Sequence, residues 1–389
     1  MGSSGSWYSL VLSILLVSIQ GNVLANGSQN KFYPHAPPMK TIQNEYGDQI
    51  DCVDFYSQPA FAHPLLRSHK FQMKPSFLPK DLLKDAPSDT NLTAMPKLSL
   101  GVNGTCPEGT VPILRGPQDP NIVTKSHRSL PSLQYSTAGH EYAVVSMSGS
   151  KYHGSSALLN LWNPLVDANE VGFSLGQLWA VSDINGAINT VEAGWHVFPK
   201  FYSGDTRTRL FIYWTSDGYK KTGCYNLKCP GFVQVSTKLA PGAVLPASTY
   251  KGSQLYLNFF VYRDPKTAHW WLRVADEWIG YWPRTIFTTL ASGATRLEWG
   301  GEIINGGTTV HTTTDMGSGH FPSEGLDGVS ASFNNLQYVD QNYKVMKPTS
   351  VSPIVPRPKC YDLKLFGDVG GNRGYTFFFG GPGRNANCR

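Results

Sequence analysis

Two short runs carry carboxylates on strand-like patterns. In NTVEAGWHVFP, residues 189–199, period-2 alternation puts Val191, Ala193, Trp195 and Val197 on one face and Thr190, Glu192, Gly194 and His196 on the other. In RLEWGGEIING, residues 296–306, Leu297, Trp299, Gly301 and Ile303 share one face, and Glu298, Gly300, Glu302 and Ile304 share the other. The cores EAGW and WGGE are near mirror images. Antiparallel pairing of the two runs would set Glu192 opposite Glu302 and Trp195 opposite Trp299, with opposed Cβ atoms roughly 5 Å apart. Like charges facing each other destabilise a sheet, so such a placement calls for a chemical reason. Two carboxylates sharing a site hold their second proton more tightly than the first, which leaves one as a base toward water and the other as an acid toward a leaving group. Glu192 and Glu302 are therefore the candidate catalytic pair. His196, cationic at acid pH, would favour Glu192 as base and leave Glu302 as acid, although a coupled pair allows the exchange. Activity is then expected to be lost at about pH 5 to 6. Gly194 and Gly300 would leave room for a substrate backbone. Trp195 and Trp299 are assigned to the core.

Both strands sit in a part of the chain that reads as all-β. From Gly139 onward it is dense in glycine, aromatic residues and short alternating runs such as RLFIYWTSDG and QLYLNFFVYRD, broken by turn signals at short intervals. No long amphipathic helix is visible, and an antiparallel sandwich or barrel follows. Ahead of it, residues 26–125 are proline-rich with mixed spacing and read as a smaller domain of short elements, and residues 126–138 form an unpatterned linker with a processing site. Residues 1–25 include WYSLVLSILLVSI followed by GNVLAN, the pattern of a secretory signal peptide cleaved after Ala25. No later stretch reaches the roughly 18 apolar residues of a membrane span, so the expectation is a secreted chain, extracellular or vacuolar.

The six cysteines fit that oxidising route. Proximity and domain membership select Cys52 with Cys106, Cys224 with Cys229 and Cys360 with Cys388 from the several possible pairings. Asn26, Asn91 and Asn103 are glycosylation acceptors. A formal charge of +6 without a basic run gives no nucleic-acid footprint. The GxxxxGK[ST], GxGxxG and GxSxG patterns are absent, and the ten histidines are scattered, so no nucleotide, metal or other cofactor is expected.

NTVEAGWHV, EWGGEI and MGSGHFPSEG, with the leader motifs IDCVDFYSQPAFAHPLL and CPEGTVPILR, resemble the plant neprosin family of secreted glutamic peptidases. The resemblance covers nearly the whole chain after the signal peptide. It implies a propeptide that acts as inhibitor, a β-sandwich catalytic domain from 139 to 389, activation by acid, cleavage after proline in protein or peptide substrates, and a monomer. Glu192 and Glu302 are the dyad it implies; Glu298 falls outside the motif. Tyr213, Trp214, Trp270, Trp271, Trp278 and Trp282 are surfaces on which a prolyl ring could stack. MGSGHFPSEG, residues 316–325, has the content of a loop near a cleft. Two other functions fit part of the pattern. A glycoside hydrolase would use Glu298 with Glu302 on wall polysaccharide. A glycan-binding sandwich would use the aromatic residues without chemistry.

Overall fold

The computed structural model describes residues 37–79, 106–115, 139–167, 172–305 and 310–389. The signal peptide, the three sequons and the linker lie outside the described residues. In the leader, β1 (Lys40–Gln43), β2 (Gln49–Asp54) and β3 (Thr110–Leu114) form one antiparallel sheet. The Cys52–Cys106 disulfide ties β2 to the segment that leads into β3. Between them, Pro59 and Pro64 each open a short 3-10 turn, a position that suits their fixed φ and missing N–H.

The rest is strand after strand. In chain order these are β4 (His140–Tyr152), β5 (Gly154–Asn160), β6 (Ser174–Ile184), β7 (Ala187–Val197), β8 (Arg209–Thr215), β9 (Cys224–Tyr225), β10 (Val233–Gln234) and β11 (Tyr256–Arg263). They continue with β12 (Trp270–Val274), β13 (Glu277–Trp282), β14 (Ala294–Ile304), β15 (Ala331–Val339), β16 (Val345–Met346), β17 (Ser352–Ile354), β18 (Asp362–Asp368) and β19 (Tyr375–Gly380). Among the described residues the helical segments are all short 3-10 turns. One sheet has the order β17-β4-β14-β6-β7-β8-β9. The other runs β10-β13-β12-β11-β5-β15-β19-β18, with β16 beside β15. Every pairing between these strands is antiparallel. This is the expected β-sandwich.

The main core lies between the two sheets. Leu178, Trp195, Leu297 and Trp299 come from the first, and Leu159, Phe259, Phe333 and Phe377 from the second. The Trp195 indole N–H donates to the Asn160 carbonyl at 2.9 Å, fastening β7 to β5 across the layers. Trp195 and Trp299 are fully buried, as the alternation required. Truncating a tryptophan in such a place costs on the order of 3–5 kcal/mol. The outer face of the first sheet is also buried. A second apolar cluster with Tyr142, Trp179, Phe211, Tyr213, Tyr219 and Tyr225 covers it. The alternation in β7 therefore separates two buried faces, one aliphatic and indole, the other aromatic and carboxylate. Disulfides Cys224–Cys229 and Cys360–Cys388 join the expected partners.

Candidate active site

Register is fixed by a turn. Asn185 and Gly186, with φ of 53° and 77°, make the two-residue connection between β6 and β7, the Asn-Gly geometry that matches strand twist. From this turn the ladder places Glu192 beside Trp179 and Gly194 beside Gln177. The other edge of β6 pairs with β14, setting Trp179 beside Glu298 and Gln177 beside Gly300. This corrects the expected pairing of the two runs. The Asn-Gly turn commits β7 to its own hairpin partner, so β6 lies between β7 and β14 and those two strands run in the same direction. Glu192 is not opposite Glu302, and Trp195 is not opposite Trp299.

The two carboxylates meet instead through a residue of the intervening strand. Gln177 is fully buried, and its Nε2 donates to Glu302 Oε2 at 3.3 Å. It also bonds the Glu192 carboxylate. Its row neighbours are Gly194 and Gly300, so no side chain stands beside it on either adjacent strand. Among the described residues its Oε1 has no hydrogen-bond partner, which leaves a buried acceptor open between the glutamates. The glycines have a different cause from the one expected. A Cβ at Gly194 would lie 2.0 Å from the Gly176 carbonyl oxygen, and one at Gly300 would lie 2.3 Å from that of Ala143. Close backbone packing, with a φ of 153° at Gly300, demands them.

Glu192 and Glu302 are each only 2% exposed, which rules out a solvated strand face as their environment. Glu192 Oε1 accepts from the Tyr219 hydroxyl at 2.7 Å and the Thr190 hydroxyl at 2.8 Å. Burial pushes the Glu192 carboxyl up to about 7. The Tyr219 hydrogen bond opposes that rise, and the charge of Glu302 adds to it. Glu302 Oε1 is held by Nδ1 of His140, the first residue of β4. Tyr142, two residues along the same face, bonds Glu302 as well. One carboxyl thus faces neutral donors only, while the other has an imidazole.

His196 does not do what its position suggested. It is fully buried, its Nε2 pairs with the Tyr202 hydroxyl at 3.0 Å, and its ring stacks on Phe211 at 4.7 Å. Burial, with Arg209 adding to it, presses its pKa down to about 3, so it stays neutral at ordinary acid pH and cannot serve as a cation beside Glu192. Its row partner across Leu175 is Glu302, not Glu192. Glu298 has its own partners: Arg296 Nε at 2.9 Å and the Ser146 hydroxyl at 3.1 Å. Of the aromatic residues expected as stacking surfaces, Tyr213 lies beside Glu192 on the carboxylate face. Trp214, Trp270, Trp271 and Trp282 are buried in the large apolar cluster, Trp271 on the face of β12 opposite to Trp270, and Trp278 is partly buried against it.

MGSGHFPSEG backs the site from the far side. A Cβ at Gly301, on the core face of β14, would come 2.8 Å from Met316 Cγ and Sδ, so this segment packs behind the strand and not over the carboxylates. Glu324 locks it by accepting from the Phe321 N–H at 2.9 Å and pairing with His320 at 2.8 Å.

Sequence reasoning missed Gln177, Tyr219, His140 and Tyr142. Gln177 left a trace, being one polar residue on the apolar face of SLGQLW. Tyr219 left none. It reaches Glu192 from a turn in which Asp217 caps the N–H groups of Lys220, Lys221 and Thr222, and its own φ is 63°.

The family model described as Neprosin matches residues 170–382, and the one described as Neprosin activation peptide matches residues 41–146. The chain belongs to the neprosin family. In this chain the activation-peptide match runs into β4 as far as Ser146, so the first half of that strand, bearing His140 and Tyr142, falls within it. Among solved structures the neprosin chain is similar to a scytalido-glutamic peptidase bound to a peptide-based transition state analogue. The identity is 9%, with 63% of this chain and 98% of that one covered at a TM-score of 0.34. It is also similar to SCP-B, a member of the eqolisin family of peptidases in complex with the tripeptide Ala-Ile-His, at 9% identity, 62% and 98% coverage and a TM-score of 0.32. A third match is CG-16, a homodimeric agglutinin from chicken liver, at 8% identity, 41% and 93% coverage and a TM-score of 0.23.

Proposed function

We propose that this neprosin-family chain is a glutamic endopeptidase, secreted as an inactive precursor and switched on by acid, that cleaves proteins after proline with Glu192 and Glu302 as its catalytic pair. The observation that carries this reading is the convergence of two buried carboxylates on one buried glutamine. Their different surroundings support a division of labour opposite to the one expected from His196. Glu192, with its proton held up to about pH 7, is the acid that protonates the substrate oxygen; the leaving nitrogen then receives the proton that Glu302 has taken from water, and the oxygen's proton returns to Glu192. Glu302, beside an imidazole, is the carboxylate that takes a proton from the attacking water. The open Gln177 carbonyl oxygen accepts the water's second O–H and aims its lone pair.

Post-proline specificity, a monomeric state and an extracellular or vacuolar location come from the family resemblance and the leader sequence. The leader as inhibitor agrees with its contacts in the uncleaved chain. Leu114 at the end of β3 packs against both apolar clusters, and Gln58 exchanges two hydrogen bonds with the Gln234 backbone, at 2.9 and 2.8 Å. Incubating the purified full chain at about pH 4 with a proline-containing protein and sequencing the peptides by mass spectrometry tests the reading. New C-termini ending in proline are expected, and an intact substrate would refute it. The glycoside hydrolase alternative makes a separate demand on Glu298. Because Arg296 and Ser146 already engage that carboxylate, Glu298→Gln is expected to keep most of the proteolysis. Loss of activity on the scale of a dyad variant would return Glu298 to the site.

A further inference from the structure

A pair of like carboxyls needs something that decides which one gives up its proton first. Burial alone does not, since Glu192 and Glu302 are equally excluded from water. Their partners differ in kind. Around Glu192 stand two hydroxyls and an amide, none of which carries charge. Around Glu302 stand an amide, a phenol and the His140 ring, the one partner that can be a cation.

His140 is itself held. Its ring stacks on Tyr142 at 6.3 Å with 15° between planes, meets Phe173 edge-on at 6.1 Å, and is 8% exposed. The next residue, Glu141, points to the opposite face of β4, where it pairs with His311 and Arg357. That second acid–base cluster is therefore engaged elsewhere. The titratable and charged groups that share the face of the His140–Glu302 pair are Tyr142 on β4, Glu298 with its partner Arg296 on β14, Glu192 and neutral His196 on β7, and Tyr213 and Arg209 on β8, the last paired with Asp48 and Asp205, with neutral Gln177 on β6 between the glutamates.

We propose that His140 is the positioning residue that fixes the roles within the dyad, donating from Nδ1 to Glu302 Oε1 so that Glu302 stays the carboxylate and Oε2, beside the Gln177 amide, is the oxygen that faces water. In the reaction, an O–H bond of water breaks and its proton goes to Glu302 Oε2 while the water oxygen bonds to the substrate carbonyl carbon. The proton on Glu192 moves to the carbonyl oxygen as the C=O π bond opens; on collapse the C–N bond breaks, the proton held by Glu302 goes to the leaving nitrogen, and the oxygen's proton returns to Glu192. His140 keeps its own proton throughout. The inference rests on the Glu192/Glu302 reading of the site.

The test is the pH profile of kcat/KM for His140→Gln and His140→Phe in the acid-activated full chain. Without the ring the pair loses its one cationic partner, so the low-pH limb should move to higher pH. The high-pH limb, which belongs to Glu192, should stay in place. A fall in kcat with both limbs unmoved would mean that His140 only packs, and would overturn the proposal. If neither variant folds, Glu302→Gln keeps the shape of the pair and supplies a second readout. The His140 Nδ1–H proton resonance, held downfield by its bond to a carboxylate, should then move upfield relative to the parent, and an unmoved resonance would overturn the proposal. Inactive Glu192→Gln and Glu302→Gln chains with an unmoved low-pH limb would sink this inference alone. Full activity in both would sink the dyad and the inference together.

Discussion

Glu192→Gln and Glu302→Gln are each expected to lower kcat on a proline-containing substrate by roughly 10²- to 10⁴-fold, the usual worth of a positioned acid or base. Combining them should add little, because two residues that move one proton set act as a unit. Glutamine preserves the size of both side chains and can still meet Gln177, so the loss would report chemistry and not collapse of the sheet. In the parent the high-pH limb should lie near 7, where Glu192 ionises. That is above the pH 5 to 6 expected before its burial was known. Stability gives an independent check on the same proton. A carboxyl whose folded pKa is raised from 4.5 to about 7 contributes stability that is complete below 4.5 and is lost as pH rises through about 7. Thermal unfolding of Glu192→Gln should therefore decline less than the parent's across that window. Undiminished proteolysis by Glu192→Gln would show that this carboxyl takes no part.

The strands that carry the pair were legible because period-2 alternation is a local property of the chain. So were the tryptophans of the core, since Trp195 and Trp299 sit on the faces that alternation gives them. The way the strands come together was not. Mirror-image cores suggested direct pairing, yet mirror symmetry of sequence exerts no force. The Asn185-Gly186 turn does, by closing β6 onto β7 in two residues. That dipeptide was in the sequence, and giving it precedence would have moved β14 to the far edge of β6 and drawn attention to Gln177 between two glycines. His196 went wrong for another reason. Alternation tells which face a histidine takes but not how deeply it is buried, and depth decides its charge. Tyr219 and His140 reach the site from a turn and from a strand start distant in sequence, and no periodicity connects such positions.

Activation offers the second large effect. Release of the leader by acid calls for titrating groups at its seam, and the seam holds histidines that take up protons before any carboxylate does as the pH falls. His69 of the leader bonds the Tyr281 hydroxyl at 2.8 Å and meets His269 edge-on at 5.2 Å. His269 stacks on Tyr281 and accepts the Arg284 N–H at 3.1 Å. Burial lowers His69, and burial together with the charge of His69 lowers His269 to about 4. Arg284 pushes His269 the same way, and Asp264 opposes it. A group lowered in the docked state binds its proton more readily once released. Docking is therefore strongest above the free value of 6.5 and weakens as pH falls from there toward 4. The seam carboxylate Asp264 acts in the same sense but in a lower window. Burial would raise it, but Ser76 holds it below its ordinary 3.8, so its contribution fades only at lower pH. The double variant His69→Gln, His269→Asn keeps an acceptor at each position and removes both titrating rings. It should stay latent at about pH 5, where the parent is expected to shed its leader, and mature only when the pH falls below about 4. Time courses of leader release, followed by gel and N-terminal sequencing at each pH, supply the measurement. Equal release rates for parent and variant at pH 5 would move the acid trigger away from this histidine pair.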